Sequence, residues 1–117
     1  MFIEKRKYQR VDYNLPIKLS DSEFDIVTET KNISASGAYC SVDTEIPTMT
    51  KMRIILLIPL KRSTKKHVRR INCEGIVVRN QPVRSNGRHY YDIGIYFNDI
   101  KEKDRKAILS YINSVLS

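Results

Sequence analysis

His89-Tyr90-Tyr91-Asp92-Ile93-Gly94-Ile95-Tyr96-Phe97-Asn98-Asp99-Ile100 is the stretch on which the fold turns. Up to Phe97 the positions Tyr91, Ile93, Ile95 and Phe97 fall at every second residue, the spacing that puts side chains on one face of a strand. Beyond Phe97 the period lengthens. Ile100, Ala107, Ile108, Tyr111, Ile112 and Val115 recur at helical spacing, and Asp99 followed three residues later by Glu102 resembles a capping box. The stretch therefore predicts a strand over 89–97 that hands over to one amphipathic helix over 99–116, laid against a sheet.

Upstream, the same alternation recurs between turn signals. Ser85-Asn86-Gly87-Arg88 is a hairpin signal, because Asn and Gly tolerate positive φ at both central positions. It joins the last strand to a fifth over 69–79, where Gly75 marks a bulge or a close backbone approach. Lys61-Arg62-Ser63-Thr64-Lys65-Lys66-His67 reads as a basic connection. The run 61–70 carries six basic charges and reads as a second anionic contact, a partner patch or a solvated loop, the last being the default. A fourth strand over 52–60 is partly apolar on both faces (Ile54, Ile55, Leu56, Leu57, Ile58) and reads as well buried. Residues 43–51 form a loop containing Pro47. The third strand sets Ala38, Cys40 and Val42 on one face and Tyr39 and Ser41 on the other. Before it, Asn32-Ile33-Ser34-Ala35-Ser36-Gly37 reads as a polar turn closed by glycine, and 24–31 as a second strand rich in Val, Ile and Thr. The first strand alternates Val11, Tyr13, Leu15, Ile17 and Leu19 with Asp12, Asn14, Pro16 and Lys18. Pro16 lacks a ladder donor, which assigns it to an edge strand or to an outward-facing position. Six strands in hairpin-like succession and one helix predict an all-β fold with a C-terminal helix: an antiparallel β-barrel or curled sandwich, one opening or face covered by the helix.

The totals bound the function. A chain of 117 residues makes one domain with one modest core. Lysine and arginine outnumber acids 21 to 13, and the resulting +8 favours a polyanionic partner. The start carries no signal-peptide core, and the apolar run 54–60 is far short of the ~20 residues that span a bilayer, so a soluble, cytoplasmic domain without membrane insertion is expected. Cys40 and Cys73 lie far apart with no metal-ligand spacing and read as small buried apolar residues. Walker loop, nucleophile elbow, zinc spacing and GxGxxG are all missing, and His67 and His89 have no partner acid readable in the sequence. The expectation is a protein that is not an enzyme and needs no cofactor.

One constellation remains. Lys5-Arg6-Lys7-Tyr8-Gln9-Arg10 sets two arginines four apart, just ahead of the first strand. Alone it reads as a solvated basic tail. Paired across one hairpin with Asn32-x-Ser34-x-x-Gly37, it resembles the PilZ domain, the bacterial receptor module for cyclic di-GMP, whose pattern is RxxxR followed by [DN]xSxxG. Ile93-Gly94-Ile95-Tyr96-Phe97 and the helix after it resemble the end of a PilZ barrel, so the similarity covers about residues 2–116. The resemblance implies a six-stranded antiparallel barrel of split-barrel type over 11–97, with a flexible ligand-binding segment over 1–10.

It also implies a ligand, cyclic di-GMP, held between that segment and the barrel surface. Arg6 and Arg10 would grip phosphates and guanine O6/N7 edges or stack on a purine, because the guanidinium fork is planar and always charged. Asn32 would face a guanine edge. It pairs one donor with one acceptor, where an ionised Asp would accept twice. Ser34 would offer its hydroxyl to phosphate or base. Gly37 would allow close backbone approach or a positive φ. With no arginines in view, Asn32, Ser34 and Gly37 would read as a ligand-free turn. Lys5, Lys7 and Arg79 are possible secondary contacts, and Lys5 bears on whether one ligand or a stacked pair binds. The function implied is a cyclic di-GMP receptor that changes conformation and signals to an effector protein in trans. Its alternatives are a basic barrel that binds single-stranded nucleic acid and a ligand-blind adaptor. Tyrosines on apolar faces count against the first, and the intact motif counts against the second.

Overall fold

The structure is a computed structural model and describes residues 9–62 and 65–116. Its elements are β1 (Pro16–Ser20), β2 (Asp25–Ser34), β3 (Gly37–Val42), β4 (Lys51–Arg62), β5 (Lys65–Ser85), β6 (Arg88–Asp99) and α1 (Glu102–Leu116). The strands close into one antiparallel barrel in the order β1-β2-β3-β6-β5-β4. This is the barrel, not the curled sandwich, and α1 packs against β2 and β4. Ile17, Leu19, Ile33, Ile54, Leu56, Ile71, Val77, Ile93 and Phe97 fill the interior, and Ile108, Tyr111 and Ile112 of α1 join the same core. Each fully buried aliphatic side chain of this kind stabilises the fold by roughly 1.5–3 kcal/mol relative to leaving it exposed.

Several elements differ from the sequence expectation, each for a local reason. The first strand is shorter than its alternation: β1 begins at Pro16, and Val11 makes only an isolated bridge to Ile33. Thr30 accounts for this. Its hydroxyl donates to the Tyr13 carbonyl at 2.6 Å and accepts from the Leu15 amide at 2.9 Å, so a buried side chain takes over the role of ladder bonds. β1 is not an edge, since it pairs with both β2 and β4. Pro16 is tolerated as the strand's first residue, exposed and ahead of the β4 ladder, which starts at Ile17↔Leu56.

Asn32 and Ser34 lie in β2 rather than in a turn, and only Ala35 and Ser36 connect it to β3. β5 is much longer than 69–79, and 65–70 with 61–62 form paired hairpin arms rather than a loop. The predicted helix start also moves. Asp99, the last residue of β6, still pairs with Glu74 of β5, and the first helical bond runs from the Arg105 amide to the Lys101 carbonyl, which puts Lys101 at the Ncap in place of an Asp99/Glu102 box. Arg69 on β5 ties α1 to the barrel through the buried Asp104 carboxylate at 2.7 Å. Two turn and bulge expectations hold. Asn86 and Gly87 both take positive φ, 52° and 76°, and the ladder shifts register at Gly75.

A candidate anion groove on the outer face

Two β-bulges decide which residues face outward. Along β2 the register jumps between Thr30↔Cys40 and Asn32↔Tyr39, so Lys31 is the extra residue. Strict alternation would return Asn32 to the interior beside buried Thr30; the bulge turns it out, and Ile33 takes the inward place. Along β5 the register jumps between Val77↔Ile95 and Arg79↔Gly94. Val78 is the extra residue there, and it and Arg79 are both exposed. The two bulges align Asn32 (β2), Tyr39 (β3), Gly94 (β6) and Arg79 (β5) in one cross-strand row.

Arg10 reaches the row from the segment ahead of β1. Val11 and Ile33 exchange both backbone bonds at 3.0 Å, which brings Arg10 beside Asn32. Its Nη1 donates to Asn32 Oδ1 at 3.2 Å, and its guanidinium carbon lies 5.7 Å from the centre of the Tyr39 ring. Arg79 approaches the same ring at 5.9 Å and donates from Nη2 to Gln81 Oε1 at 3.3 Å. The row floors an open groove of about 670 Å³, whose lining includes Arg10, Asn32, Gly37, Tyr39, Arg79 and Tyr96. That volume falls within the ~300–1,000 Å³ usual for small-molecule sites. No described residue lining it is acidic. Two cations held by neutral amides, with aromatic rings beside them, suit an anion that carries flat rings.

The motif glycine serves close approach rather than turn geometry. Gly37 has no positive φ, and a Cβ built on it would overlap the Ile95 carbonyl oxygen of the neighbouring strand. The Ser36 carbonyl accepts from the Phe97 amide at 2.9 Å, which pins the turn to β6. Ser34 does not line the groove. It is buried, and its oxygen meets the Ser36 hydroxyl at 3.1 Å and accepts from the Ser36 amide at 3.2 Å, so it braces the turn beneath the site. Of the other candidates, Lys5, Arg6 and Lys7 lie outside the described residues, as does most of the segment 1–10. Arg79 sits mid-strand at a bulge, not at the strand's end. Tyr39, Val78, Gln81, Gly94 and Tyr96 were not singled out from sequence as ligand-facing. The outward face assigned to Tyr39 was the available signal for it.

The neighbouring outer face is differently charged. Lys31, the bulge residue, donates to Asp92 at 2.9 Å, and Ser41 donates to the same carboxylate at 2.6 Å. Burial raises the Asp92 carboxyl, but the bonds from Ser41 and Lys31 outweigh it and hold the group below its ordinary value. Both cysteines are free, and burial, chiefly, pushes each thiol up to about 12. Among the described residues no group of three or more His, Cys, Asp or Glu is arranged to hold a metal, and no helix is long and apolar enough to cross a membrane.

Fold and groove together define a small closed antiparallel barrel with an arginine-lined, aromatic outer face. The PilZ domain model matches residues 4–114, and the chain belongs to the PilZ domain family. Among solved structures, the Bacillus subtilis inhibitor of motility (MotI/DgrA) superimposes with a TM-score of 0.82 at 26% identity, over 97% of this chain and 53% of that one. The Klebsiella pneumoniae MrkH–c-di-GMP complex aligns at TM-score 0.72 and 13% identity, over 97% of this chain and 53% of MrkH. The Escherichia coli YcgR PilZ domain with c-di-GMP aligns at 0.62 and 9% identity, over 96% of this chain and 95% of that one. The chain thus spans about half the length of the first two. No curated protein matches it in sequence.

Proposed function

We propose that this chain is a receptor for cyclic di-GMP and that the ligand occupies the Arg10–Asn32–Tyr39–Arg79 groove. One observation carries the reading: the hydrogen bond from Arg10 to Asn32, which joins the two halves of the sequence motif across 22 residues. Family membership supports it, as do the ligand-bound MrkH and YcgR structures, which share this fold. In the proposed complex Arg10 and Arg79 take phosphate oxygens or guanine O6/N7 edges, each good bidentate guanine contact being worth ~1–3 kcal/mol. Asn32 presents its amide to a base, and the exposed Tyr96 offers a ring face. Arg6 completes the clamp from the segment ahead of Arg10.

The reading extends to output. No catalytic residue is assigned to the chain. Closure of the N-terminal segment over the ligand changes the surface offered to an effector protein in trans, and the signal passes by that contact. MotI/DgrA is named for inhibiting motility, a regulatory role of this general kind.

Isothermal calorimetry with cyclic di-GMP tests the binding step. The wild-type chain is expected to bind saturably, and Arg6→Ala, Arg10→Ala and Asn32→Ala each to lose roughly tenfold or more in affinity, about 1.4 kcal/mol. Absence of saturable heat from the wild type at tens of micromolar ligand would overturn the proposal.

A further inference from the structure

We infer that Tyr39 is the positioning residue of the groove: its ring, seated on the bare backbone of Gly94, holds the guanidinium groups of Arg10 and Arg79 in place before any ligand arrives. The inference deepens the cyclic di-GMP reading and rests on it for its effect on affinity; the positioning itself stands on geometry alone.

The ring is fixed from below. Tyr39 lies in β3, laddered on both sides, opposite Asn32 in β2 and Gly94 in β6. A Cβ placed on Gly94 would come within 2.8 Å of Tyr39 Cε1 and 3.3 Å of Cδ1. It would also come within 3.3 Å of the Arg79 Cβ. The tyrosine ring and the arginine stem therefore share the space that a side chain at 94 would fill. Glycine there is a requirement of the row, not of backbone conformation, since its φ is not positive.

The arginines are fixed from above. Two like charges converge on one ring, at 5.7 and 5.9 Å, where the negative π face attracts both. Each has a second anchor, Asn32 Oδ1 for Arg10 and Gln81 Oε1 for Arg79. Both anchors are neutral amides. A carboxylate in either place would orient the guanidinium equally well and cancel its charge; an amide and a ring orient it and leave the charge for an anion. Arginine loses more side-chain entropy than most residues when ordered, and ordering it ahead of binding removes that cost from the binding step.

Two measurements test this on the intact chain. The first is ligand-free NMR of the Arg10 and Arg79 side-chain protons. Ring-current shifts are expected in the wild type and in Tyr39→Phe, which keeps the ring, and are expected to vanish in Tyr39→Leu and move in Gly94→Val. Unchanged arginine resonances in Tyr39→Leu would overturn the inference whether or not cyclic di-GMP binds. The second is calorimetry with cyclic di-GMP. Tyr39→Leu is expected to weaken binding about tenfold, Tyr39→Phe less than about threefold, and Tyr39→Leu to add little once Arg10 and Arg79 are both alanine. A full additional loss in that double-alanine background would mark Tyr39 as a ligand contact or a fold element instead, and would sink the inference. If the wild type fails to bind while the ring-current shifts behave as stated, the functional reading falls and the positioning role stands.

Discussion

A threonine hydroxyl lies fully buried in the barrel wall at position 30, where alternation alone would welcome valine. It earns that place by bonding both the Tyr13 carbonyl and the Leu15 amide, and Asn14 adds a bond from Nδ2 to the Thr30 carbonyl at 2.8 Å. These side chains carry the segment ahead of β1 past the sheet, and that segment delivers Arg10. Thr30→Val keeps the shape and strips both partners, leaving the buried Leu15 amide and the part-buried Tyr13 carbonyl unmet. The expected loss is about 1–3 kcal/mol in urea unfolding, with Arg10 less firmly placed and ligand affinity reduced. None of this is legible in the sequence, because a threonine in a strand-like run reads as β propensity. Arg10, Asn32 and Gly37 were legible as a motif, whereas the close approach of Gly37 to Ile95 needed the fold to define it.

At the scale of elements, the helix, the hairpin turn at Asn86 and Gly87 and the apolar face of β6 followed directly from periodicity and turn chemistry. The bulges at Lys31 and Val78 did not. A bulge adds one residue to one strand and leaves no mark on composition, yet it decides whether Asn32 faces the core or the groove. Lys31 also has a mechanical part. From β2 it reaches Asp92 on β6, over Ser41 on the β3 strand between them, so one carboxylate straps three strands. Its pKa is lowered in the fold, so the strap's contribution is complete above the ordinary Asp range and fades as pH falls through the folded value. Asp92→Asn should therefore destabilise the chain at neutral pH, and the gap to wild type should narrow on acidification below pH ~4, read from urea midpoints across pH.

On the scale of the whole molecule, a net charge of +8 accompanies a groove lined by no described carboxylate. Long-range attraction of a dianion is screened by salt, and short contacts at the ring and amides are screened far less. In stopped-flow experiments, added salt should slow association of cyclic di-GMP markedly while dissociation changes little. Equal salt effects on both rates would argue that the net charge plays no steering part. The barrel itself was predictable, since six alternating segments and a helix leave few ways to cover their apolar faces. Its closure followed from the family resemblance and not from periodicity, in which Pro16 signals an edge; the ring tolerates that proline by placing it first in β1.

The tight turn between β2 and β3 has a consequence for how such a chain tolerates change in length. From Asn32 to Gly37 every residue is counted: the bulge fixes the outward face, Ser34 pairs with Gly37, and the Ser36 carbonyl is held by β6. Between Arg10 and Asn32 the chain instead passes through the exposed turn at Asp21, Ser22 and Glu23, where the Asp21 carboxylate caps two amides and the barrel makes no demand on length. One glycine inserted after Ser22 should leave fold and ligand affinity nearly intact. The same glycine inserted after Asn32 should abolish binding and lower the unfolding midpoint. The first gap is a tether with slack, and the second is a ruler.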